Sequence, residues 1–278
     1  MERVKVAYIE IKSKKIYFET YGQGKPLVLL NGIMMSTLSW KVFIEAFSAN
    51  NQLILVDFLD QGKSDKMEDI SYTQDDQVEV LKAVFDELKL KKVNLVGISY
   101  GGEVALEFSV KYEEYVDKMV LFNTTAKTSS WLRDIGIGWN QSASDPLDYY
   151  CTTIPVIYSP QFYNERSEWM NNRKAFLVDK VFNQKPFMDA MVRLTKSADY
   201  HDVTNELPNI KIPTLIVSSE NDYITPMPEQ RKLNELIATS ELIVFPNTGH
   251  ASMYERPVIF ASSVLGFVNM DQKEFSIG

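Results

Sequence analysis

Cysteine is almost missing from this chain of 278 residues, which holds Cys151 alone. A single thiol cannot build an internal disulfide framework and fits a reducing compartment, so Cys151 is expected to be a small packed side chain. Histidine is scarce too, with only His201 and His250, and no His/Cys spacing of the structural-zinc kind exists. Basic residues are in deficit, 29 Lys and Arg against 37 Asp and Glu. The resulting net charge of -8 argues against a nucleic-acid partner, whose phosphates need cationic patches. No apolar run approaches the roughly 20 residues that span a bilayer. Met1-Glu2-Arg3-Val4-Lys5 lacks the apolar stretch of a secretion signal, so a cytoplasmic location is expected. No Gly-x-Gly-x-x-Gly opens a helix. Gly62-Lys63-Ser64 ends like a phosphate-binding loop, but Asp57 stands where that loop needs its first glycine. Neither a metal nor a dinucleotide cofactor is expected.

What the chain does have is 45% hydrophobic and 24% charged residues, enough for an ample core. Residues 4–11 and 15–21 alternate apolar with polar around Ser13-Lys14, which predicts an antiparallel hairpin. After the break at Gly22-Gln23-Gly24-Lys25-Pro26, residues 27–30 and 53–56 are continuously apolar, as in strands buried on both faces of a parallel sheet. Further strands are predicted over 93–98, 118–123, 214–218 and 242–245. Helices are predicted around 40–47, after the cap Thr73, behind Ser99, and over 229–237 and 257–268. The alternation implies an α/β fold with a mostly parallel, doubly wound sheet.

That rhythm lapses over 124–208, a stretch rich in Trp, Tyr and Phe and too long for an unstructured loop. It is expected to be a mostly helical cap inserted after the sixth strand, with residues 1–123 and 209–278 forming the core. The alternative is a separate small domain with its own core.

Gly97-Ile98-Ser99-Tyr100-Gly101 lies between a strand run and a helical pattern. A serine on so sharp a turn crowds its neighbours' backbones, and glycine has no Cβ to clash. Ser99 is therefore the candidate nucleophile, and it needs a base because a free hydroxyl is weakly nucleophilic. His250 follows the last predicted strand, whereas His201 stands in a polar stretch and is expected to be structural or solvated. Asp222 is the favoured carboxylate to orient His250, with Glu220 second.

The order Ser99, Asp222, His250 resembles that of the α/β-hydrolase fold, and the likeness spans nearly the whole chain. The resemblance implies an oxyanion hole made by the backbone N–H groups of Ile33 and Tyr100. Asn31 and Met34, in the turn Asn31-Gly32-Ile33-Met34, are expected to take part in substrate binding. Most of that family carries His-Gly where this chain has Asn-Gly. In Asp57-Phe58-Leu59-Asp60-Gln61-Gly62-Lys63-Ser64-Asp65, Asp57 and Ser64 are expected to tie a turn. Within the first ~110 residues, Asn31-Gly32-Ile33-Met34-Met35-Ser36-Thr37, Asp60-Gln61-Gly62-Lys63-Ser64 and Asp75-Asp76-Gln77-Val78-Glu79 are similar to acyltransferases that join two 3-hydroxyacyl chains into the rhamnolipid precursor.

The expected activity is acyl transfer through Ser99 on an ester or thioester of an apolar acyl chain, given the aromatic and Met-rich cap. The partner is a small molecule, with no metal or cofactor. Alternatives are 3-hydroxyacyl transfer, implied by the narrower resemblance, and a non-enzymatic receptor for a small ligand.

Overall fold

The computed structural model describes residues 5–68 and 70–271. Strands β1 (Lys5–Ile11) and β2 (Lys14–Tyr21) form the expected hairpin. Its turn is Lys12-Ser13, both at positive φ, which matches the twist of the two strands. β3 (Lys25–Leu30) follows, then a tight helical run over Thr37–Phe43, α1 (Ile44–Ser48) and β4 (Asn51–Val56). α2 (Gln74–Glu87) starts at Thr73, whose side chain and that of Asp76 satisfy each other's backbone N–H groups. β5 (Val93–Ile98), α3 (Tyr100–Tyr112) and β6 (Val116–Phe122) come next.

Between β6 and β7 the chain is mainly helical: α4 (Ser130–Ser142), α5 (Pro146–Ile157), α6 (Pro160–Glu165), α7 (Ser167–Phe176) with a wider helical run over Leu177–Phe182 behind it, and α8 (Lys185–Ser197). The sheet then resumes with β7 (Thr214–Ser219), α9 (Met227–Leu236) and β8 (Ser240–Phe245), and the described chain closes with α10 (Ser252–Glu255) and α11 (Pro257–Val268).

Among the described residues the eight strands form one sheet in the order β1-β2-β4-β3-β5-β6-β7-β8. β2 runs antiparallel to β1 and β4, and all other neighbours are parallel. This is the doubly wound α/β architecture the alternation implied. Successive side chains point to opposite faces, so each central strand feeds two cores. In β3, Val28 and Leu30 pack with α2 and α3, while Leu27 and Leu29 pack with α1 and α11. Edge strand β8 is less buried than its neighbours, which is why its apolar run is shorter.

The helical insertion is tied to the core at its ends and in its middle. Its ends meet where Thr128 N–H donates to His201 O (2.8 Å) and Val203 N–H to Ala126 O (2.9 Å). Farther in, Arg193 on α8 holds Asp60 with two bonds, Nε to Oδ2 (2.9 Å) and a terminal guanidinium nitrogen to Oδ1 (2.7 Å). Cys151 departs from expectation, because it is exposed. α5 buries Tyr149, Tyr150, Thr153 and Ile154, and helical periodicity turns residue 151 away from that face.

Candidate active site

β5 is buried along its whole length and ends at Ser99, which has φ 52° and ψ -121°. That strained backbone is held from several sides. Ser99 N–H donates to Phe122 O (2.9 Å), and Ser99 O accepts from the N–H groups of Gly102 (2.8 Å) and Glu103 (3.1 Å). Thr124 Oγ1 donates to the same carbonyl (2.8 Å). A Cβ on Gly97 would stand 2.5 Å from Gly101 O, and one on Gly101 2.5 Å from Leu30 O. The two motif glycines are thus required by close backbone approach. Ser99 lies at the N-terminus of α3, where free N–H groups and the helix dipole favour negative charge.

The turn after β3 stands beside this elbow: a Cβ on Gly32 would lie 3.7 Å from Ser99 Cβ. Among the described residues, no protein acceptor takes the N–H of Ile33 or of Tyr100, so both are free for a ligand oxygen. Asn31 does not face that space. It is fully buried below the turn, where Nδ2 donates to Val56 O (2.8 Å) and Gln61 Oε1 (3.0 Å) while Oδ1 accepts from Trp40 Nε1 (2.7 Å). Gln61 Nε2 in turn donates to Gly32 O (2.9 Å). Every polar atom of the Asn31 amide is committed to protein except one lone pair, so the substrate contact expected of it is corrected to support of the turn.

Asp57 and Ser64 do tie the next turn. Asp57 accepts from the N–H groups of Thr37 (2.7 Å) and Lys63 (2.9 Å), and Ser64 Oγ donates to Asp57 O (2.5 Å). Burial holds the Asp57 carboxyl above the usual carboxylate range.

His250 Nδ1 meets Asp222 Oδ2 at 2.8 Å. Asp222 is buried in the loop after β7 and also accepts from Ile224 N–H (2.8 Å), Thr225 N–H (3.0 Å) and Thr225 Oγ1 (3.0 Å). These bonds fix the carboxylate. Glu220, the other candidate, is exposed and accepts Asn247 N–H (2.7 Å), fastening the loop that carries His250. Asn123 Nδ2 donates to His250 O (2.8 Å) from the end of β6. His201 is buried elsewhere, with Nδ1 on Glu107 Oε1 (2.7 Å) and Nε2 on Thr125 O (3.1 Å). The structure therefore brings together Ser99, His250, Asp222 and the Ile33–Met34 turn, and sets His201 apart.

A cavity of about 400 Å³ opens on Ser99 and His250. Ile33, Met34 and Tyr100 line it from the sheet side, and Trp139, Ile154 and Phe182 from the inserted helices. The nucleophile candidate sits at the C-terminal end of β5, the carboxylate after β7 and the imidazole after β8. Parallel sheets place their sites at that edge. Residues 25–257 match the family model described as the alpha/beta hydrolase fold.

The chain belongs to the α/β-hydrolase family.

This α/β hydrolase is 49% identical to MGS-M2, an alpha/beta hydrolase enzyme from a Medee basin deep-sea metagenome library, whose crystal structure superposes with a TM-score of 0.95 over 98% of this chain and 100% of that one. It is 29% identical to the 2-hydroxy-6-oxononadienedioate/2-hydroxy-6-oxononatrienedioate hydrolase of Escherichia coli K12, with 92% of each chain covered. An esterase from Exiguobacterium antarcticum shares the fold at a TM-score of 0.82 and 21% identity, over 96% of this chain and 100% of that one. The hydrolase character of the enzyme rests on this kinship. The narrower likeness to 3-hydroxyacyl transferases has no counterpart among these relatives.

Sequence reasoning overlooked several residues of the α/β hydrolase's site. Gln61 and Trp40 hold Asn31, and only tertiary contact joins positions so far apart. Glu255 accepts from Ser159 N–H (2.7 Å), Ser159 Oγ (2.6 Å) and Gly249 N–H (3.2 Å), locking the His250 loop to the insertion. Glu103 lines the cavity one helical turn after Ser99, a placement its i+4 spacing signalled. Arg173 also lines it, with Trp169 and Tyr254 rings at 5.3 and 5.1 Å from its guanidinium carbon.

Proposed function

We propose that this α/β hydrolase is a serine esterase that cleaves esters of an apolar acyl chain through an acyl-enzyme. One observation carries the reading: Ser99 and the Asp222-bound His250 open onto the same, largely apolar cavity beneath the inserted helices. His250 Nε2 removes the Ser99 proton as Oγ attacks the ester carbonyl, and the N–H groups of Ile33 and Tyr100 receive the oxyanion. The imidazolium then protonates the leaving alcohol. In the second half, His250 deprotonates water, which attacks the acyl-enzyme and releases the acid and Ser99. Asp222 holds the imidazole in the tautomer that leaves Nε2 free. The helices of 124–208 act as the cap that walls off the acyl chain from solvent.

Ser99→Ala tests the reading. Loss of a nucleophile costs several orders of magnitude in rate, so turnover of p-nitrophenyl hexanoate and labelling by a fluorophosphonate are both expected to vanish. A mutant that keeps more than about a tenth of wild-type turnover overturns the assignment. Intact mass after incubation with acyl esters or thioesters should show an adduct on the wild type alone. The ratio of acid to transfer product, with a 3-hydroxyacyl thioester as both donor and acceptor, separates hydrolysis from the acyltransferase reading.

A second reading has its own observation. Arg173 Nε is buried with no hydrogen-bond partner among the described residues, and Arg173 lines the cavity. A guanidinium donor there suits a substrate with a carboxylate at its far end, as the dioate in the name of the Escherichia coli relative has. Preference for a monoester of adipic acid over a hexanoate ester, lost in Arg173→Met, would favour it.

A further inference from the structure

Glu103 is 5% exposed, yet it lines the cavity that holds Ser99 and His250. Helical side chains tilt toward the helix N-terminus, so its carboxyl leans from α3 back over the turn that begins at Ser99. Oε2 lies 2.5 Å from Gln74 Nε2 on α2. That separation is short for N–H···O, which runs at about 2.7–3.2 Å, and ordinary for O–H···O at about 2.5–3.0 Å. Gln74 Oε1, meanwhile, is buried with no hydrogen-bond partner among the described residues. A half-turn of the Gln74 amide gives Oε1 a donor and fits the short separation, because it sets Oε1 against a protonated Glu103 and moves Nε2 to the place Oε1 held. Burial acts in the same direction, holding the Glu103 carboxyl above the usual carboxylate range. Oε1 of Glu103 is then left as an acceptor at a wall that is otherwise mostly apolar.

We propose that Glu103 is a specificity-determining residue of this site, a neutral carboxyl group that donates to Gln74 and accepts, through Oε1, a hydroxyl carried on the acyl chain of the substrate. The proposal rests on the serine-esterase reading and narrows it to hydroxylated acyl chains. A buried acceptor in a mostly apolar wall discriminates by being left unpaired when the hydroxyl is missing.

The test is a ratio. For the p-nitrophenyl esters of hexanoate, 3-hydroxyhexanoate and 6-hydroxyhexanoate, kcat/KM is measured for wild type, Glu103→Gln and Glu103→Met. Wild type is expected to favour one hydroxy ester over hexanoate by about tenfold, the worth of one buried hydrogen bond. Glu103→Gln keeps a carbonyl acceptor and a donor for Gln74, and should retain the preference; Glu103→Met should abolish it. Equal ratios in wild type and Glu103→Met overturn the proposal, as does a wild type without preference. Failure of the wild type to hydrolyse any of the three esters is a different result, and counts against the esterase reading itself.

A second measurement stands even where Glu103→Met does not fold. The titratable groups facing Glu103 are Glu107 and Tyr100 on its own helix, His201 after α8 and His250 after β8, while α2 presents the uncharged Gln74. All four remain in Glu103→Gln. A carboxyl kept protonated in the folded state costs stability once the unfolded chain ionises, above about pH 4.3. Wild type should therefore lose stability relative to Glu103→Gln between pH 4.5 and pH 7, read by urea unfolding. A flat difference across that range would show an ordinary ionised Glu103 and overturn the neutral-carboxyl assignment.

Discussion

Replacing Asn31 by alanine separates support of the oxyanion turn from the chemistry done there. Sequence alone suggests a single neutral bond at stake, worth about 0.5–1.5 kcal/mol. The structure raises that figure, because the Asn31 amide makes three bonds in a fully buried position. Truncation strips Trp40 Nε1 of its acceptor and removes a donor from Val56 O. Gln61 Oε1 loses least, since it also accepts Phe58 N–H at 3.3 Å. An orphaned buried polar group costs about 1–3 kcal/mol, so two of them, partly relaxed, should lower stability by about 2–4 kcal/mol. The rate should suffer less. Gly32 O still accepts Met35 N–H (3.1 Å) and Gln61 Nε2 (2.9 Å), so the turn and the Ile33 N–H stay in place. Deleting an oxyanion donor outright costs about 2.7–4 kcal/mol, whereas a loosened turn should cost about tenfold or less in kcat. Urea unfolding and ester kinetics on the same preparation measure both. A thousandfold fall in kcat with unchanged stability would refute the reasoning, because Asn31 would then act on the transition state. A stability loss below about 1 kcal/mol would refute the network instead.

Three further outcomes are expected. Asp222→Asn should reduce kcat by about 10⁴ through the wrong imidazole tautomer, while Glu220→Gln should stay within a few-fold, because Glu220 holds only a loop N–H; single-turnover acylation distinguishes them. Arg193→Met should destabilise by about 3–5 kcal/mol in urea unfolding, since it leaves the fully buried Asp60 carboxylate without its cation. His201→Gln should leave acylation nearly unchanged and cost more stability at low pH than at high. Burial, the largest single effect, lowers the His201 pKa, but the Glu107 hydrogen bond, the neighbouring carboxyl groups and the Thr125 carbonyl together outweigh it, and the net shift is upward. A raised imidazole contributes its stability fully below the unfolded value of about 6.5, and that contribution fades as pH rises through the folded value. A stability difference that grows from pH 6 to pH 9 would contradict this.

The elements most legible in sequence were those whose signal is local. Continuous apolar runs marked β3 to β6 because strands buried on both faces have no polar side to show. The glycines at 97 and 101 were readable because backbone crowding leaves no other residue. The helical stretch expected around 40–47 is present, as a tighter helical run over Thr37–Phe43 followed by the regular α1. Cys151 was misplaced because the buried face of α5 is set by what α5 packs against. The choice between Asp222 and Glu220 turned on a loop geometry that places one carboxylate on His250 and the other on Asn247.

By itself, then, the sequence determined the α/β architecture and the candidate residues for nucleophilic chemistry, in an order and spacing that local sterics and hydrophobic periodicity make visible. The tertiary structure decided what those residues touch. It buried Asn31 beneath its own turn, drew Arg173 to the cavity wall, and stationed His201 where the insertion meets α3. Each of these joins positions tens of residues apart or turns on which side of a helix meets a neighbour. Such contacts are set by the packing of whole elements, and no local pattern in the chain encodes them.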